Sequence, residues 1–122
     1  TDWPGWHNAT RLIPMPLHAT RLGQRGYNQA LELARPLARI HALAIDTTTL
    51  TRIRPTAPQT DLDAAARKRN LRGAFVAEKL TGDVVVLLDD VITTGATARE
   101  TAKVLMRAGA ADVRVAAMAR VP

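Results

Sequence analysis

The sequence predicts an α/β domain built on a twisted, mostly parallel sheet with flanking helices. Three observations carry that prediction. Val84 to Leu88 are five consecutive apolar residues, the pattern of a strand buried on both faces. Two stretches, 28–42 and 97–108, repeat small and apolar residues at helical spacing. Each is flanked by β-rich segments, and strand–helix–strand units return to a parallel sheet by right-handed crossovers.

Taken in order, residues 1–10 carry Trp3 and Trp6 without periodicity, so these rings are expected on a sheet edge or against a neighbour. Leu12 to Pro16 is a short apolar strand, and Pro14 and Pro16 suit its end rather than its middle. The loop that follows, LHATRLGQRG over 17–26, carries Arg21 and Arg25. Asn28 is placed to cap a helix over 28–42 whose apolar face holds Ala30, Leu33, Ala34, Leu37, Ala38 and His41. Pro36 should kink that helix or cost about 3 kcal/mol in a straight interior. His41 is expected as a packed histidine at the core edge rather than a ligand.

A threonine-rich second strand is expected over 48–53, then a proline-broken loop over 52–59. Asp61 is placed to cap a short helix through Leu71, ended by Gly73, with Arg67, Lys68, Arg69 and Arg72 as a positive cluster or simply a solvated face. A short strand over 74–77 and a turn at 81–83 lead into the central strand, 84–88. The second long helix, 97–108, presents Ala98, Ala102, Leu105 and Met106 on one face, with Gly109 as its stop. Val113 to Ala119 is the last strand. No linker or internal repeat divides the chain, so 1–122 is expected to be one domain.

The chemistry concentrates in VVVLLDDVITTGAT, residues 84–97. Asp89 and Asp90 stand where the central strand is expected to end. A loop of hydroxyls and one glycine, Thr93, Thr94, Gly95 and Thr97, then opens a helix. Free N–H groups and the positive end of a helix dipole suit a phosphate there. The Walker A pattern is excluded, because no Gly-Lys pair occurs, and Gly23 and Gly26 do not make a dinucleotide fingerprint. Carboxylates repel phosphate, so the acids should face another part of the ligand. A ribose diol fits, offering two donors to a pure acceptor. The residues alone therefore suggest a sugar phosphate. The bland alternative is that the two acids cap a helix or pair with arginine.

Composition bounds the answer. The chain has 122 residues, 47% of them hydrophobic, enough for one small core. It has no cysteine, which excludes disulfides, cysteine-ligated zinc and a cysteine nucleophile within it. No apolar run approaches the roughly 20 residues of a membrane span, and no signal peptide is visible, so the default expectation is cytoplasmic. The net charge of +6, carried mostly by arginine, favours anionic partners or merely solubility. Thr1 is not a start methionine, so the chain reads as a fragment or a processed product.

The stretch 84–97 resembles the PRPP-binding motif of type I phosphoribosyltransferases. Two further stretches resemble the ComF branch of that fold: LIPMPLH leading to RGYNQALELA over 25–34, and an arginine-rich segment with Arg52, Thr56, Gln59, Arg67, Asn70 and Gly73-Ala74-Phe75. The resemblance runs from about Leu12 to Arg120. It implies a type I phosphoribosyltransferase-like fold that binds PRPP, or another ribose 5-phosphate compound, with magnesium held through that ligand. Asp89 and Asp90 would accept from the ribose hydroxyls and serve as the catalytic pair. Thr93, Thr94, Gly95, Ala96 and Thr97 would hold the 5′-phosphate. The turn Pro16-Leu17-His18 matches the pyrophosphate loop in position, Arg52 belongs with the flap segment, and Arg25, Arg52 and Arg67 are the cationic candidates at the pyrophosphate or the flap. The segment 54–72 corresponds to a mobile flap or is an ordinary surface loop. ComF-like proteins commonly begin with a cysteine-rich, zinc-finger-like segment that this sequence lacks, so either the chain is truncated or this member does without it.

Two functions from different classes follow. One is a transferase that moves phosphoribosyl to an unidentified acceptor and releases pyrophosphate, with a ComF-like role in competence and DNA uptake. The other is a non-catalytic module that keeps the fold for binding and handles nucleic acid. Single-stranded DNA, a competence protein and a second copy of the chain are the macromolecular partners considered; no membrane partner is expected.

Overall fold

A computed structural model describes residues 3–17, 28–53, 65, 73–92 and 95–120; at 91–92 and 118–120 it describes the backbone alone. Among the described residues six strands and two long helices follow one another: β1 (Arg11–Pro14), α1 (Gln29–His41), β2 (Ala44–Ile45), β3 (Leu50–Arg52), β4 (Phe75–Ala77), β5 (Val84–Ile92), α2 (Ala96–Ala108) and β6 (Asp112–Arg120). The main sheet has the order β2-β1-β5-β6 and every pairing in it is parallel. β3 and β4 form a separate antiparallel pair.

The two helices cover opposite faces of the main sheet, which explains the unbroken apolar run. Val86 and Leu88 of β5 pack with Leu12 against Ala34 and Ala38 of α1. Val85 and Leu87 point the other way and pack with Ile13 against Leu105 of α2, where Leu50, Phe75 and Leu80 complete the layer. A strand between two helical layers has no face left for polar residues. The asparagine cap is as expected: the Asn28 side chain accepts from the Leu31 N–H. α1 runs through Pro36, which lies on its exposed side.

Trp3 and Trp6 belong to this core. A 3-10 turn over Pro4–Trp6 lays both rings on the α1 side of the sheet. Trp6 stacks on His41, 4.0 Å between ring centroids and 12° between planes, so His41 is the packed core-edge histidine expected.

Three expectations are corrected. The second strand is not 48–53. The carboxylate of Asp46 accepts from the N–H groups of Thr48 and Thr49, and that local turn ends β2 at Ile45. Residues 50–52 instead pair antiparallel with 75–77. The central strand does not stop at Leu88; its pairing with β6 continues through Ile92. Met106 is about half exposed, and the buried stripe of α2 is Ala98, Thr101 and Leu105. Thr101 enters the core because its hydroxyl donates to the carbonyls of Thr97 and Ala98 within its own helix. The expected helix over 61–71 lies outside the described residues.

At the amino-terminal ends of the strands, Arg11 ties three segments together. Its guanidinium donates to the Asp46 carboxylate at 2.5 Å, to the Thr49 hydroxyl at 3.1 Å and to the Asp83 carboxylate at 3.3 Å. Gly109 ends α2 with φ +120°, and a Cβ there would overlap the Leu80 carbonyl oxygen. Among the described residues no helix is long and apolar enough to cross a membrane.

Candidate functional site

The topology fixes where a ligand would sit. From β1 the chain crosses through α1 to β2 on one side, and from β5 it crosses through α2 to β6 on the other. The two crossovers diverge between β1 and β5, and such a divergence places a crevice at the carboxyl side of the sheet. Open α/β sheets bind ligands at such a switch point. The Met15 N–H donates to the Leu88 carbonyl at 2.7 Å, so the chain leaving β1 passes beside the stretch of β5 just before the acidic pair.

Asp89 and Asp90 stand at that crevice, both half-buried. The Asp90 backbone N–H donates to the Asp89 carboxylate at 2.9 Å. Burial, and then the facing Asp90 carboxyl, push the Asp89 carboxyl up to about 6; the Asp90 N–H and the positive charge of Arg52 oppose that rise. Arg52 comes from β3, and its guanidinium lies 4.8 Å over the ring of Phe75, its cross-strand partner on β4. The small antiparallel pair thus brings a cation toward the acidic pair.

The amino terminus of α2 forms the other wall. Gly95 is its N-cap with φ +80°, a conformation that favours glycine. Ala96 and Thr97 begin the helix, and its first turn holds no acidic residue to offset the positive end of the dipole. Of the positions singled out in the sequence, the fold brings Arg52 together with Asp89 and Asp90; Gly95, Ala96 and Thr97 open the helix that follows β5, and Leu17 lies two residues beyond Met15. His18, Arg25, Arg67, Thr93 and Thr94 lie outside the described residues.

Two residues at this crevice escaped the sequence reading. Arg99, in the first turn of α2, folds back so that its guanidinium nitrogen sits 3.0 Å from where a Cβ on Gly95 would be. The positive φ is what calls for glycine there, since the exposed tip of Arg99 can swing away from a Cβ. The only signal in the sequence was the i, i+4 spacing from Gly95. Asn28 was read as a helix cap alone, yet its side-chain amide also donates to the Met15 carbonyl at 3.2 Å. It thereby anchors the segment leaving β1.

No protein-family profile matches the chain. Curated relatives do. The chain is 45% identical over 111 residues to the DNA utilization protein YhgH of Salmonella typhi, covering 90% of this chain and 49% of that protein. It is 43% identical over 111 residues to the protein of the same name from Escherichia coli strain K12, with the same coverage. It is 36% identical over 113 residues to Competence protein F of Haemophilus influenzae, covering 89% of this chain and 49% of that protein. The chain thus spans about half the length of the curated relatives it matches. These names support the ComF-family relationship suggested by the motifs.

Proposed function

We propose that residues 1–122 form a type I phosphoribosyltransferase-like domain that binds PRPP with magnesium in the crevice between β1 and β5. The observation that carries this reading is the pairing, at one switch point, of two half-buried carboxylates with a glycine-capped helix terminus. The carboxylates accept from the two ribose hydroxyls. The loop 93–97 and the start of α2 hold the 5′-phosphate, and Arg52 meets the pyrophosphate side. Two adjacent carboxylates are hard oxygen donors of the kind magnesium accepts. Magnesium would be held through the ligand's own phosphates, with Asp89 and Asp90 helping to place it. Magnesium would neutralise charge on the leaving pyrophosphate.

The reaction proposed is displacement at ribose C1, with the C1–O bond to pyrophosphate breaking as an acceptor nucleophile bonds to C1. Asp89 and Asp90 orient the ribose, and cationic side chains stabilise the charge that builds on the leaving group. The acceptor is unassigned. The names of the relatives, which speak of DNA utilization and competence, favour a role in DNA handling, for which binding without turnover would suffice.

Titration calorimetry of the chain with PRPP and magnesium tests the binding. Saturable heat supports it, and none up to millimolar ligand overturns it. A pyrophosphate-release screen across nucleobases and amines then separates transfer from binding alone.

A further inference from the structure

The two edges of the main sheet are built differently. β2, on one edge, has two residues, too few to template another strand. β6, on the other, has nine, and its pairing with β5 keeps one register from Val84↔Asp112 to Ile92↔Arg120 with no bulge. A long regular edge strand is ordinarily guarded by proline, lysine, a bulge or a free inward charge. DVRVAAMAR contains neither proline nor lysine. Its internal arginine is not a free guard: the Arg114 guanidinium donates to the carbonyls of Gly5 and His7 and pairs with the Asp112 carboxylate at 2.9 Å. Among the described residues no strand pairs with the outer side of β6.

We propose that this edge pairs with the β6 edge of a second copy of the chain, antiparallel about a two-fold axis at Ala116. Charge complementarity selects both partner and register. In the frame centred on Ala116, Asp112 falls opposite Arg120 twice, Arg114 opposite Met118, Val113 opposite Ala119 and Val115 opposite Ala117. No like charges meet. Centring the pair on Ala117 sets Arg114 against Arg120, and centring it on Val115 pairs Arg114 with Ala116 and leaves Asp112 opposite Met118 without its cation. The resulting interface continues the sheet across the two-fold into eight strands and lies on β6, whereas the candidate crevice lies between β1 and β5. Dimerisation and ligand binding are therefore separable.

The cysteine-free chain makes the register directly readable. Residues that face each other across an antiparallel pair lie about 4.5–5.5 Å apart at Cα, within disulfide reach. Ala116→Cys should therefore cross-link to itself under mild oxidation, while Ala44→Cys on the β2 edge should not. Sedimentation should show a concentration-dependent dimer. Asp112→Arg should weaken it about tenfold, and the swapped variant Asp112→Arg with Arg120→Asp should restore it. A monomer at every concentration, with Ala116→Cys cross-linking no faster than Ala44→Cys, overturns the proposal. So does a dimer indifferent to both charge variants.

Discussion

The backbone N–H of Asp90 donates to the carboxylate of Asp89 at 2.9 Å, while the two carboxyl groups of these neighbours repel one another. The central strand thus carries a costly feature at its functional end. The Asp89 carboxyl is raised from 3.8 to about 6, so the folded state binds a proton more tightly than the unfolded chain. Its contribution to stability is full below pH 4 and is lost as pH rises through about 6. Asp89→Asn removes that loss. This variant should be more stable than the parent at pH 7.5, by on the order of 2 kcal/mol, measured by urea unfolding. At pH 4 the difference should vanish.

The same carboxyl sets a pH profile for binding. A ribose diol needs an ionised acceptor, so PRPP affinity should fall as pH drops through about 6, and the fall should be absent in Asp89→Asn. Calorimetry in matched buffers between pH 5 and 8 reads both.

Arg99 is expected to meet the same phosphate as Gly95, because its guanidinium lies against that glycine. Arg99→Ala should weaken PRPP binding roughly tenfold, the size of one charge-assisted hydrogen bond at a half-open site. The side chain is exposed, so the melting temperature should barely move. Unchanged affinity would remove Arg99 from the site.

Arg11 is expected to matter for stability and not for ligand. It joins Asp46 and Asp83 at the end of the sheet opposite the crevice. Burial pushes the Asp46 carboxyl up, but the hydroxyl and N–H of Thr49, the Thr48 N–H and Arg11 outweigh it and hold it well below the usual range. Arg11→Ala should cost about 1–3 kcal/mol at pH 7 while leaving PRPP affinity intact. A carboxylate held low lends stability above its unfolded value of 3.8 and loses it as pH falls, so the cost of the variant should shrink below pH 4.

Much of this architecture was legible in the sequence because periodicity and burial coincide. Val84 to Leu88 had to be strand, since only a strand between two helical layers hides every side chain. Asn28 and Gly109 marked helix ends through local chemistry that no distant contact overrides. The misread parts depended on pairing. β-rich composition at 48–53 was correct for 50–52, but which sheet it joins is set by register with 75–77 and by the Asp46 turn. Met106 and Thr101 exchanged places because a hydroxyl that bonds within its own helix is as easily buried as a methyl group. At the site, Asp89, Asp90 and Gly95 were visible as one motif in sequence. The roles of Phe75 beneath Arg52 and of Arg99 against Gly95 are properties of folding geometry.

The acidic pair Asp89 and Asp90 of β5 is proposed to hold a phosphorylated ribose. Calorimetry of magnesium and PRPP against the parent chain and Asp89→Asn with Asp90→Asn, both checked for folding by circular dichroism, tests it most directly. Saturable binding by the parent and at least a hundredfold loss in the double variant are expected, from two charge-assisted acceptors removed together. Equal affinity in the two folded proteins, or no binding by the parent, would contradict it.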